Sequence, residues 1–377
     1  MTKTRLLFID NLRTLMIVLV IMVHLSITYG GEGSWYYNER PTNVLTNVVL
    51  TFHNAVCQSF FMGFLFFLAG YFTGHSYDRK GPGPFVRDRL LRLGIPMLSY
   101  DLAVTPLMGY ILIKAGIIHL DGSFGDRLKE YYTSFHIGTG PLWFVEALLI
   151  FSLVYVGYRL LRSAPPPARS KEPPGSAALV ALAVVMGLAS FLVRLRWPIG
   201  WAFAPLNLQF PFFPQYLCMF PLGIIASRND WLMRLSRATG RRWLIVAAVL
   251  IFVVFPLIFV LGGALKGDVW KFLGELYWQA FVYAMWEQLL CVAMIVSLTV
   301  LFREHLNREN RVTREAAAAS YATYILHAPV VVLFTLAVRD IELYPLLKFA
   351  LVALIVIPLC FALGAALRRL PAARRIL

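Results

Sequence analysis

The sequence predicts an all-α fold: a polytopic membrane helix bundle of about ten transmembrane helices, with both termini cytoplasmic. Three observations carry this. Of 377 residues, 59% are hydrophobic and only 15% charged, and the mean hydropathy of +0.68 lies far from that of a soluble domain. The apolar residues are gathered into stretches long enough to cross a hydrocarbon layer of about 30 Å as helix. Lys and Arg alternate between dense and sparse from one connection to the next.

The stretches fall at 12–29, 45–73, 94–117, 141–161, 176–193, 210–227, 243–265, 278–302, 319–338 and 346–367. The first follows Lys3 and Arg5 like a signal peptide, but no small-residue cleavage site closes it, so it is expected to remain as a signal anchor. The second is rich in Phe. Before the third, the basic segment 79–96 places Arg87, Arg89 and Arg92 on a short helix leading into the membrane. The fourth opens with Pro141, Trp143 and Glu146. A Pro-rich linker, 164–175, separates it from the fifth and is expected to be extended. The sixth and seventh are plainly apolar, the eighth carries Glu287, the ninth His327, and the tenth ends in Arg368 and Arg369. An even number returns the chain to its starting side. That side has 25 Lys and Arg against 10 on the other, which places it in the cytoplasm. The net charge of +15 is therefore mostly a topology signal, and nucleic-acid binding has no other support. The whole chain reads as one domain, 1–377, in a lipid bilayer, and leaves open a homo-oligomer.

The first stretch carries the chemistry. Arg13 and His24 are eleven residues apart, three turns plus roughly 20°, so they share a helix face and lie roughly 16 Å apart along its axis. Asp10, three residues before Arg13, lies near that face and is placed to pair with it. An anion-binding end at the membrane surface thus shares a helix with a proton-handling end inside it. His24 and Glu146 each lie about five residues, roughly 8 Å, from the outer ends of their spans. Ionisable groups at such depth are functional candidates, although for Glu146, Glu287, His53, Asp101 or His327 taken singly an inter-helix hydrogen bond is an equal reading. Arg13, Arg87, Arg89 and Arg92 cluster toward the cytoplasmic face, suited either to phosphates or to lipid headgroups. Trp35, Tyr36, Tyr37, Tyr131, Tyr132, His136 and Trp143 at the outer ends suit an interfacial belt, with a carbohydrate-stacking platform as the alternative. Asp10, Trp143, His327 and Glu287 complete the substrate-binding candidates.

A histidine base, with arginines at the cytoplasmic edge, fits a donor with a phosphorylated head and a long thin arm, the shape of a coenzyme A thioester. The chemistry is proton abstraction from an acceptor hydroxyl by His24, attack on the thioester carbonyl, and departure of thiolate. No Gly-x-Ser-x-Gly elbow and no His-Glu-x-x-His pattern occurs, so neither a serine hydrolase nor a metal is expected. Cys57, Cys218, Cys291 and Cys360 lie in apolar stretches and read as buried small hydrophobes.

Five segments in order, Ile9-Asp10-x-Leu12-Arg13 with His24, Phe66-Phe67-Leu-Ala-Gly70-Tyr71-Phe72, Arg89-Leu-Leu-Arg92, Leu142-Trp143-Phe144 and Ser320-Tyr321-x-x-Tyr324-x-x-His327, resemble the acyltransferase-3 family of bacterial integral-membrane acyltransferases. Within it, the opening and the 60–72 run are most similar to the osmoregulated periplasmic glucan succinyltransferase branch. The resemblance implies transfer from cytoplasmic acyl-coenzyme A, succinyl or acetyl, to a hydroxyl of an extracytoplasmic glycan such as a periplasmic glucan, in a bacterial inner membrane. It implies His24 as catalytic, Arg13 in the donor site, Arg89 and Arg92 near the coenzyme phosphates, and Glu146 near the acceptor. Asn11 and Thr14 stand where small residues often flank the arginine, which bears on donor packing. The rival class is a proton-coupled transporter or flippase relaying protons through His24, Glu146 and Glu287.

Overall fold

The computed structural model describes residues 6–39, 41–119, 123–133, 139–162, 171–204, 206–371 and 373–376. Lys3, Arg5, Arg40, His136, Arg169 and the linker through residue 170 lie outside them. Among the described residues, ten helices are long and apolar enough to span a membrane. They are α1 (Leu7–Thr28), α2 (Val44–Lys80), α3 (Pro82–Lys114), α4 (Gly140–Leu161), α5 (Ser176–Arg194), α6 (Phe210–Arg228), α7 (Arg237–Leu261), α8 (Trp278–His305), α9 (Arg311–Ala337) and α10 (Pro345–Arg369). Apart from helices and turns, these residues form one isolated bridge, between Phe203 and Leu208.

Each stretch read from the sequence becomes one helix, but several helices run beyond it. Backbone hydrogen bonding continues past the apolar core wherever side chains at the edge are satisfied, so hydropathy underestimates helix length. At the start of α1, Arg13 pairs with Asp10 at 3.6 Å and Asn11 donates to the Leu306 and Arg308 carbonyls. The segment holding Arg87, Arg89 and Arg92 is not a separate lead-in helix but the first part of α3, continuous through a π turn at Leu90–Gly94. Among the described residues three π turns occur, Leu90–Gly94, Tyr100–Val104 and Leu250–Val254, and each is followed two residues later by proline: Pro96, Pro106 and Pro256. Proline has no N–H and its ring crowds the carbonyl one turn back; widening that turn keeps the helix continuous.

α2 and α8 form the centre, with 72% and 78% of their most apolar stretch buried, whereas α5, α7 and α10 bury under a third and present Leu, Val and Phe outward. α2 crosses α6 at two glycines. A Cβ on Gly70 would fall on the Phe220 carbonyl, and one on Gly223 on the Phe67 carbonyl. This backbone-to-backbone approach requires the small residue on both helices. The bundle therefore has an N-terminal face, where α1, α3, α5, α7 and α9 begin, and an opposite face.

Candidate active site

α1 ends at Thr28 and the chain turns back through Gly30, whose φ of +124° only glycine adopts readily. The returning loop is fixed to the helix ends. Asn38 donates to the Ile27 carbonyl (3.0 Å), Glu39 N–H to the Thr28 carbonyl (2.7 Å), and Asn54 to the Glu32 carbonyl (3.0 Å). Lys348 of α10, 2% exposed, forms an ion pair with Glu39 and also donates to the Arg339 carbonyl (3.1 Å). So anchored, the loop lays Trp35 flat on His24, with ring centroids 3.8 Å apart and planes 15° apart.

On α9, His327 lies parallel to His24, with centroids 5.2 Å apart. Its Nδ1 faces the Tyr324 carbonyl, an acceptor only, so Nδ1 carries the hydrogen and Nε2 is left as the exchanging nitrogen. Nε2 of His327 and Nδ1 of His24 are both buried without a hydrogen-bond partner among the described residues. His327 is fully buried, whereas His24 is partly accessible. Two imidazoles with unsatisfied nitrogens at one level of a bundle are where a hydroxyl group is expected to be received.

The neighbouring groups are phenols. Tyr36 meets the Tyr100 hydroxyl at 3.4 Å and lies against Gly140 at the start of α4, and Tyr324 donates to the Pro141 carbonyl. Burial pushes the Tyr36 phenol above its ordinary range, so it remains a hydroxyl. Glu146, 3% exposed, sits in the first turn of the regular helix that begins at Trp143, where the helix N-terminus favours a carboxylate. Thr139 donates to its Oε2 at 3.0 Å, and Oε1 is buried without a partner among the described residues. Among the described residues no hydrogen bond joins Glu146 to His24, whose ring instead meets His327 and Trp35.

At the N-terminal face, three helices converge. The Arg13 guanidinium lies 5.4 Å from the Phe72 ring centroid on α2, and Arg89 of α3 donates to Thr73 (3.4 Å) beside it. Arg89 also lies over Phe85, at 4.9 Å, and its Nε is buried without a partner among the described residues. Arg92 pairs with Asp88 at 3.2 Å, and its carbonyl accepts from Tyr321. Arg87 is exposed. Asn11 and Thr14 both have structural partners, Thr14 meeting Ser320 at 3.2 Å.

Two candidates lie elsewhere. Glu287 forms a fully buried ion pair with Arg194 at 2.6 Å, flanked by Gln288 and Gln215. Trp143 packs against Phe66 and Tyr216, with centroids at 6.4 and 5.6 Å, and these two rings stack on each other at 4.7 Å. Residue-type reasoning assigned Trp35 and Tyr36 to an outer belt; the loop anchors, not composition, turn them inward. A clearer signal lay in α9, where Ser320, Tyr321, Tyr324 and His327 recur at helical spacing and touch α1, α3, α4 and α1 in turn. Among the described residues, no group of His, Cys, Asp or Glu is placed to hold a metal ion.

A family model described as an acyltransferase domain, that of the acyltransferase-3 family, matches residues 6–365. Glucans biosynthesis protein C of Escherichia coli strain K12 is 24% identical over 335 residues, covering 87% of this chain and 82% of that protein. The proteins of the same name from strains SMS-3-5 and O9:H4 align with the same identity and coverage. No solved structure matches. With nearly every span inside the matched region, the chain belongs to the acyltransferase-3 family and is a multi-pass membrane acyltransferase.

Proposed function

We propose that the protein moves an acyl group, succinyl or acetyl, from a coenzyme A thioester at the N-terminal face to a glycan hydroxyl presented from the opposite face. The observation that carries this reading is the division of α1. Arg13 joins Arg89 and Arg92 in a cationic patch at one end, and His24 meets His327 and Trp35 roughly 16 Å farther along the helix. Arg13, Arg89 and Arg92 hold the phosphates, and the thin arm of the donor runs along α1 to the imidazoles. His24 takes the proton of the acceptor hydroxyl as its oxygen attacks the thioester carbonyl carbon. The tetrahedral oxyanion collapses, the carbon–sulfur bond breaks, and the thiolate recovers the proton. The unpartnered oxygen of Glu146 is available to orient the acceptor. The N-terminal face is cytoplasmic in this reading, in agreement with its excess of Lys and Arg, and the membrane is a bacterial inner membrane. The similarity to glucans biosynthesis protein C supports a periplasmic glucan as acceptor. The transporter reading is weakened by geometry, because Glu287, the third member of its relay, is committed to Arg194.

The test is release of free thiol from acetyl- and succinyl-coenzyme A by the purified chain in detergent, with and without a glucan acceptor. One thioester should be turned over, and His24→Ala should lower the rate by at least about 100-fold. Turnover of neither thioester, with or without acceptor, would sink the proposal.

A further inference from the structure

A groove of about 710 Å³ opens between α4 and α6, apart from the imidazole pair. Phe151, Leu217, Phe220 and Ile224 give it an apolar wall. Along α6 it extends from Leu217 to Arg228, eleven residues or roughly 16 Å, which is about half the thickness of a hydrocarbon core. It therefore runs from mid-membrane to the N-terminal face, one leaflet deep.

The end at that face is cationic and built. Lys171 reaches it from the chain leading into α5, with its backbone clamped on both sides. Its N–H donates to Asn229 at 2.8 Å, and its carbonyl accepts from Trp231 Nε1 and Arg234 Nη1, both at 3.0 Å. Arg228 closes the groove from α6, donating to the Tyr155 hydroxyl at 3.2 Å. Both charged residues that line the groove, Lys171 and Arg228, are cations; Asp78 lies closer to Arg159 (2.6 Å) than to Arg228 (3.8 Å), and Glu172 pairs with Arg234, so positive charge is in excess at the mouth.

We infer that this groove seats one membrane phospholipid with an anionic headgroup, its acyl chain along α6 and its phosphate between Lys171 and Arg228. Length and charge both fit that occupant: a chain spanning one leaflet, ending in an anion at headgroup depth. The site is independent of the acyl-transfer chemistry.

The test is native mass spectrometry of the full chain, delipidated in detergent and mixed with dioleoylphosphatidylglycerol or dioleoylphosphatidylcholine at equal concentration. One phosphatidylglycerol should be retained, about fivefold or more in preference to phosphatidylcholine. Lys171→Ala should lower that preference about fivefold, because the clamp uses only the backbone of Lys171. Leu217→Trp should block retention of both lipids; Leu217 is 56% exposed, so the larger ring fills the groove without disturbing the core. Equal retention of the two lipids, or retention unaffected by both substitutions, overturns the inference. So does displacement of phosphatidylglycerol by an equal amount of a polyprenyl phosphate, or a dimer that Leu217→Trp dissociates, since either assigns the groove to a different occupant.

Discussion

His24 has two aromatic neighbours with different duties. Trp35 covers one face of its ring, while His327 lies to its side, 6.4 Å from Trp35 between centroids, and offers Nε2 because Tyr324 occupies Nδ1. If His327 serves the reacting hydroxyl, His327→Ala should lower kcat about 100-fold with little change in the KM for the acyl donor. A purely structural His327 would instead show near-normal kcat with a lowered melting temperature. At the other end, the patch distinguishes among three arginines that look alike in sequence. Arg89→Ala should raise the donor KM about tenfold, whereas Arg87→Ala, on an exposed side chain, should leave it nearly unchanged. The sequence contained Arg13, His24, Arg89 and Arg92 at interpretable spacing, since one helix or one helical segment sets their separation. Trp35 was not legible, because its position over His24 depends on Lys348 finding Glu39 across more than 300 residues. For Glu287, a substrate-binding or relay candidate with an inter-helix bond as an equal reading, the sequence could not choose, because the ion pair that satisfies it comes from Arg194, three helices earlier.

At the scale of elements, hydropathy located all ten spans but not their ends, because capping and ion pairs extend helices past the apolar region. The π turns were legible in principle from their prolines. The crossing of α2 and α6 was legible only as a Phe-rich run interrupted by Gly70; its partner Gly223 lies more than 150 residues away. That crossing makes a sharp demand. Gly70→Leu or Gly223→Leu has no room without separating the two backbones, and should abolish recovery of monodisperse protein in detergent. Gly94→Ala, with nothing near its Cβ, should be recovered normally. Normal recovery of both leucine variants would mean that the two helices do not meet at these residues. The Arg194–Glu287 pair makes a second demand on the same core. Glu287→Ala leaves a guanidinium buried without its partner and should destabilise the fold by about 3 kcal/mol or more, read as a fall in melting temperature of the detergent-solubilised protein.

The whole molecule places its cationic patch and its imidazole pair at different depths, and the proposed reaction uses that separation only if the N-terminal face is cytoplasmic. The excess of Lys and Arg on that face argues for this orientation, since basic connections are retained on the cytoplasmic side during insertion. The four natural cysteines permit a direct test: Cys57, Cys291 and Cys360 are buried and Cys218 is half-buried, so a membrane-impermeant maleimide should react with them slowly. Arg308→Cys puts an exposed thiol between α8 and α9, on the N-terminal face, and Glu342→Cys puts one between α9 and α10, on the opposite face. In right-side-out vesicles the maleimide should label position 342 and spare 308; in inverted vesicles the pattern should reverse. The contrary result would leave Arg13, Arg89 and Arg92 facing away from the cytoplasm. A cytoplasmic thioester could not then reach His24 by way of that patch, and the direction of transfer proposed here would fail even if His24 proved essential.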